Sequence, residues 1–463
     1  MKEKDAVKRY ALICATTAGF LTPFMGSAIN LAIPSIGEDF QASAYLLGWV
    51  VTSYLLASAA FLVPAGRLAD LIGRKKVFIT GIAVFSVFSF LSGCATSIEI
   101  FIIYRILQGI GSSMIFGTGT AILTSVFSPQ ERGKVLGINV AAVYIGLSLG
   151  PVLGGFLNHR LGWQSIFFFN FVVGLCVFFL VLLRLKGEWM GADQERFDVL
   201  GSLLYSSGLI SFMYGLSSFT SNYWAKYLMV SGILILVILI VYETKIKHPL
   251  LDLNLFRRNI TFRYSNLAAF INYCATFAVS FLLSIYLQLV KGYDSQTAGF
   301  ILLAQPLVMA LLSPFAGALS DRIEPWKVAS LGMSITSLAL LFLYFVSQDT
   351  PIWLVMINLI VMGSGFALFS SPNTNAVMGS VDKRVYGVAS SILGTMRLVG
   401  QAVSMAIVTL LISLYVGSIE IQQASADILV RLLTVSFAIF AGVCFVGIFA
   451  SMARGNLHTA EER

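Results

Sequence analysis

Arg105 and Arg397 each stand inside a long apolar run, and each has a glutamine, Gln108 and Gln401, one helical turn further on. A guanidinium buried in lipid costs about 3 kcal/mol on insertion scales, so it marks a ligand site, a proton path or a buried hydrogen-bond network. The second concentration of charge is GRLADLIGRKK at residues 66–76, where one acid, Asp70, stands among Arg67, Arg74, Lys75 and Lys76. Gly66 and Gly73 permit close backbone approach and a tight turn. Asp70 is placed to meet helix N-termini or a cation across the interface between helix bundles. The cations also serve as anchors for anionic lipid headgroups.

Other polar groups are scattered thinly through the apolar runs: Asn30, Tyr54, Asn139, Tyr144, Asn272, Gln288, Gln305 and Asn373. With Arg397 and Gln401 they outline a large, mostly apolar pocket with a few polar points, suited to adaptable recognition of amphipathic small molecules. Gly146, Gly150, Pro151, Gly154 and Gly155 put a small-residue face and a kink into one run. Enzyme chemistry finds no support. His159, His248 and His458 fall in loops or the tail, and the cysteines Cys14, Cys94, Cys176, Cys274 and Cys444 are single. No pair has metal or redox spacing, and no G-x-x-x-x-G-K-[ST] loop offers a nucleotide site, so neither metal nor cofactor is expected.

These residues sit on elements that must cross a membrane. The chain of 463 residues is 57% hydrophobic and 11% charged, against roughly 25% charge for soluble domains. Fourteen apolar segments, centred on 10–35, 45–65, 77–96, 100–126, 135–157, 164–184, 199–218, 227–242, 262–290, 297–319, 327–346, 352–377, 386–414 and 430–452, are long enough to span. Helices are the element expected, because a lipid-exposed backbone must satisfy its own hydrogen bonds. The seventh and eighth are the weakest. The first is expected as a retained span, not a cleaved signal. With the N-terminus inside, the outside loops hold only Arg160, Lys226, Lys291 and Arg431 of the thirty Lys and Arg, and apart from Arg105 and Arg397 the rest fall inside. That asymmetry predicts two cytoplasmic termini and explains the +8 net charge as topology, with no nucleic-acid partner.

The charged loop has a second copy. PAGRLADLIGRKKV at 64–77 aligns with FAGALSDRIEPWKV at 315–328, pairing Asp70 with Asp321. The repeat predicts an all-α polytopic protein with a six-helix bundle at 1–187, two inserted spans with flanking loops at 188–258, and a second six-helix bundle at 259–463. GRLADLIGRKK resembles the signature loop of the major facilitator superfamily. RILQGIGSS at 105–113 is similar to its R-x-x-x-Q-G motif, GLSLGPVLGG at 146–155 to its G-x-x-x-G-P-x-x-G-G antiporter motif, and WQSIFFFN at 163–170 to the opening of its sixth span. With fourteen spans, the chain resembles the drug:proton antiporter branch over essentially its whole length. The resemblance implies that Asp70 and Arg74 latch the cytoplasmic side, that Arg105 supports proton coupling or substrate binding, and that the Gly-Pro motif marks an exporter.

One departure bears on mechanism. The family's first span carries an acid, and the matching stretch here, FMGSAINLAIP at 24–34, has Met25 in its place. No acid falls in the middle of a span. Three mechanisms stay open: a coupling acid at Asp70 or Glu99, an anionic or neutral substrate partnered by Arg105 or Arg397, or downhill transport with no exchange. The expectation is a monomeric exporter of drug-like or amphipathic molecules in the plasma membrane of a prokaryote, exchanging protons. A dedicated exporter of a metabolite, lipid or organic anion is the first rival, and a transport-inactive sensor the second.

Overall fold

The computed structural model describes residues 2–190, 197–219, 222–246, 250, 253–320, 322–381, 386–417 and 419–455. Asp321 lies outside the described residues. Fourteen helical spans are long and apolar enough to cross a bilayer, and no named strand occurs among the described residues. The first eight are single helices: α1 Lys2–Phe40, α2 Ala44–Ile72, α3 Arg74–Gly93, α4 Ile98–Val126, α5 Pro129–Leu161, α6 Gln164–Arg184, α7 Val199–Ser217 and α8 Ala225–Glu243. Short polar residues cap them where the apolar runs stop. Asp198 accepts from the Gly201 amide at 2.9 Å, and Ser43 and Ser97 accept from Leu46 and Ile100. Gly73, at φ 120°, makes the turn from α2 to α3.

After the short α9 (Leu253–Arg258), the ninth span, expected as one run over 262–290, is broken. α10 (Ile260–Thr276) and α11 (Val279–Ile285) meet at Phe277–Ala278, and Tyr286–Val290 forms a π-helical turn. The break is satisfied from another helix, since the Ala278 amide donates to Ser404 Oγ at 3.2 Å. The tenth span divides into α12 (Ser295–Leu302) and α13 (Ala304–Ser320), with Pro306 in the first turn of α13 lacking the N–H that would continue the ladder. α14 (Pro325–Leu343), α15 (Ile352–Gly379), α16 (Tyr386–Tyr415) and α17 (Ala426–Met452) complete the set.

Packing repeats as the sequence does. α1 lies on α5, α2 and α3 on α4, and α3 on α6; in the second half α10 lies on α16, α13 and α14 on α15, and α14 on α17. The halves meet twice in the same manner, α2 against α16 and α5 against α12. The remaining pair, α7 and α8, forms a hairpin whose α7 rests on both α2 and α16. On α8, Leu234, Val237, Ile238 and Val241 point outward, as a lipid-facing helix requires.

Two faces can be distinguished. One carries the 66–76 loop and is called here the signature face. The other, the far face, carries the turns at 41–43, 94–97, 162–163 and 291–294. Hydrogen bonds between the halves gather towards the far face: Ala44 N to Ile419 O, Gln422 to Pro34 O at 2.6 Å, Thr52 with Thr409 at 3.0 Å, Ser295 to Gly155 O and Gln288 to Leu31 O at 3.3 Å.

Candidate functional site

Between the two halves lies a cavity. α1 brings Thr22, Pro23, Gly26, Ser27 and Asn30 to it, and α2 brings Tyr54 and Leu55. α4 adds Ser112 and Phe116, and α5 adds Tyr144, Leu147 and Pro151. The second half supplies Tyr273, Thr276, Phe277, Ser280, Gln305, Met309, Phe366, Arg397 and Gln401. Of the residues expected at a pocket, Asn30, Tyr54, Tyr144, Gln305, Arg397 and Gln401 are therefore brought together. Asn139, Asn272 and Asn373 are buried between helices outside this lining, and Gln288 bonds across the seam. The serines and threonines, Tyr273 and Phe366 were not singled out by sequence. Their signal is weak, because such residues also serve ordinary helix packing.

Arg397 is the one charged side chain among the described lining residues. Its guanidinium lies 5.1 Å from the Tyr273 ring centroid. That ring meets Phe366 edge-on, with centroids 5.4 Å apart. Across the cavity, the Tyr144 hydroxyl is 2.6 Å from Ser370 Oγ, a contact between α5 and α15 at mid-depth. The wall is thus aromatic with one fixed positive charge, a surface for a flat apolar body carrying carbonyl or anionic groups.

Arg105 stands one layer behind. It is fully buried, with its guanidinium 4.3 Å from the Tyr54 ring centroid. Its Nε donates to Val50 O at 3.1 Å, its Nη1 bonds Gln108 Oε1, and Gln108 donates to Ser89 at 2.7 Å. Tyr54 in turn donates to Ser112 at 2.9 Å. Arg105 and Gln108 therefore hold the back of a cavity tyrosine and are not themselves in the lining. Met25 is also out of reach. It is fully buried, and its sulfur faces the Asn170 amide of α6 at 3.3 Å.

The signature loop is built inside the first half. Arg74 donates to Asp70 at 2.8 Å and to Ala121 O at 3.1 Å, and it bonds Ser125, so the pair ties α2 and α3 to α4. A Cβ on Gly117 would lie 3.4 Å from Gly66 Cα, which is the close approach the glycine allows. Sequence did not reveal the partner of Gly73. The Glu188 carboxylate accepts the Lys75 amide at 2.8 Å, and Arg74 N donates to Trp189 O at 2.8 Å, so the segment after α6 caps α3.

The Gly-Pro motif packs two ways. On one side of α5, a Cβ at Gly146 would meet Phe20 O and one at Gly150 would meet Ser27, each at 2.5 Å, while one at Gly154 would meet Ala28 at 2.7 Å. On the other side, Pro151 and Gly155 approach Gly299 and Ser295 of α12. α5 thereby binds α1 and the second half at once, beside the cavity.

Fourteen membrane-length helices in two like-packed halves around a shared cavity define a membrane carrier. The Major Facilitator Superfamily model matches residues 15–253 and 266–461, and the chain belongs to that family of transporters. It is similar to the riboflavin transporter RibZ of Clostridioides difficile, 30% identical over 457 residues that cover 98% of both chains. It is also similar to the multidrug resistance protein Stp of Mycobacterium tuberculosis, 31% identical over 404 residues, 85% of this chain and 74% of the relative. In fold it is similar to a bacterial homolog of the human lysosomal transporter Spinster, solved in an inward-facing and unoccupied conformation. The TM-score is 0.69 at 15% identity, with 96% of this chain and 97% of that one covered.

Proposed function

We propose that this protein carries a neutral or anionic aromatic amphiphile through the cell membrane by alternating access, exporting it in exchange for protons. The carrying observation is the cavity wall: six aromatic rings, several amides and hydroxyls, and Arg397 as its one charge among the described residues. A lipophilic cation placed there would lose its water and meet a like charge. A flat heteroaromatic body with polar edges would stack on Tyr273 and Phe366 and accept from Arg397 and the glutamines. Riboflavin, named for one relative, has that shape and is uncharged at neutral pH, so it is the first substrate to try. The similarity to Stp supports a wider range of aromatic cargo in the same wall. With Met25 turned to α6, Asp70 is the coupling acid in this reading. The units of 1–187 and 259–463 are the rocking bodies, and the working form is a monomer.

The test uses everted vesicles containing the protein, with an inside-acid gradient. Riboflavin, a fluorescent organic anion and tetraphenylphosphonium are added separately, following cargo accumulation and lumenal pH. The expected result is accumulation of riboflavin or the anion with lumenal alkalinisation, reduced about tenfold by Arg397→Ala, the equivalent of one charge-assisted contact. Proton movement is expected to disappear in Asp70→Asn. Accumulation of the cation alone would sink the charge assignment.

A further inference from the structure

Proline inside a helix leaves the carbonyl four residues earlier without its N–H partner. Three such carbonyls in this protein are taken by serines of other helices. Pro151 exposes Leu147 O, which accepts from Ser27 at 3.2 Å, and Pro64 exposes Ala60 O, which accepts from Ser206 at 2.7 Å. Pro34 exposes Asn30 O, and the Ser284 hydroxyl donates to it at 2.7 Å. This third bond differs from the first, because it runs from one six-helix half to the other. Gln288 reinforces it, donating to Ser284 Oγ at 2.8 Å and to the neighbouring carbonyl, Leu31 O, at 3.3 Å. Gln288 lies in the π-helical turn Tyr286–Val290, a local geometry that recurs at functional positions.

We infer that Ser284 and Gln288 are gate residues, closing the far face by bonding Asn30 O, the carbonyl that Pro34 exposes on α1, and its neighbour Leu31 O. The inference rests on the alternating-access reading, which requires the halves to part on the far face. An ordinary helical carbonyl already has a partner and gains little from a second. The carbonyl freed by Pro34 has none within its helix, so it is a strong acceptor when the gate is shut and is satisfied by water when the gate opens. Ser284 is fully buried, so the closed bond is dry, and the open state exchanges it for hydration at small net difference. That balance suits a contact made and broken in every cycle. It also gives a physical role to Pro34.

The test measures distance between spin labels at Thr96→Cys and Asp349→Cys, exposed on far-face turns of the two halves, in a full chain whose own cysteines are replaced. The short distance reports the closed far face and the long distance the open one. Ser284→Ala should raise the open-to-closed ratio about fivefold, the worth of one buried hydrogen bond. Gln288→Leu should shift it the same way. On a Pro34→Ala background, where residue 34 regains its N–H and bonds Asn30 O itself, Ser284→Ala should change little. An unchanged ratio in Ser284→Ala and Gln288→Leu overturns the gate assignment, as does an equal shift with and without Pro34. One distance in every variant, even with cargo added, would overturn alternating access itself.

Discussion

At the residue scale, the informative position is the missing acid. From sequence, Met25 reads as a carboxylate lost from the binding site. The structure places that side chain on the face of α1 that meets α6, touching Asn170, while Gly26, Ser27 and Asn30 take the cavity face. Restoring the acid would therefore bury a carboxylate in packing. Met25→Asp is expected to lower stability by about 3 kcal/mol, read as a fall in melting temperature in detergent, and to give no gain in cation transport. A stable variant that accumulates tetraphenylphosphonium would refute this placement. Asn30, Tyr54, Tyr144, Gln305, Arg397 and Gln401 were legible because a polar group in lipid stands out against its run. Ser112, Thr276 and Ser280 were not, because a hydroxyl can be satisfied within its own helix, as Thr276 is by Asn272 O, and leaves no trace in hydropathy.

At the element scale, the inserted pair has a definite attachment. Ser206 and Tyr205 of α7 donate to Ala60 O and Ala59 O of α2, at 2.7 and 3.0 Å. The Ala60 carbonyl is free because Pro64 follows it by four, and the signature loop begins two residues after that proline. The segment leading to α7 holds the other end of the loop through Glu188 and Trp189. Residues 188–189 thus hold the start of α3 while Tyr205 and Ser206 hold α2, one on each side of the charged turn. Ser206→Ala should cost about 1–2 kcal/mol in thermal unfolding, and the cost should vanish when Pro64 is also replaced by Ala. An equal loss on both backgrounds would mean Ser206 acts through packing alone. The number of spans was legible because length and apolarity decide spanning. The break at 277–278 was not, since the amide it frees is satisfied by Ser404, remote in sequence, whereas the break at Leu303 has a local mark in Pro306.

At the scale of the whole molecule, the distribution of cations and the geometry can be set against each other. Arg160, Lys226, Lys291 and Arg431 all belong to the far face, at the ends of α5, α8, the ninth span and α17. Among the described residues, the remaining loop cations lie on the signature face. A cytoplasmic leaflet attracts each such residue by about 1 kcal/mol, so this distribution predicts a cytoplasmic signature face. Cys94 offers a direct reading. It is exposed at the end of α3 on the far face, while Cys176, also exposed, lies mid-helix in α6 where lipid covers it. A membrane-impermeant maleimide applied to intact cells should modify the protein once, and Cys94→Ser should abolish the modification. In everted vesicles the same reagent should leave Cys94 untouched. Labelling only in everted vesicles would invert the molecule. The far-face gate at Ser284 would then face the cytoplasm, and the exchange proposed for the cavity would run inward.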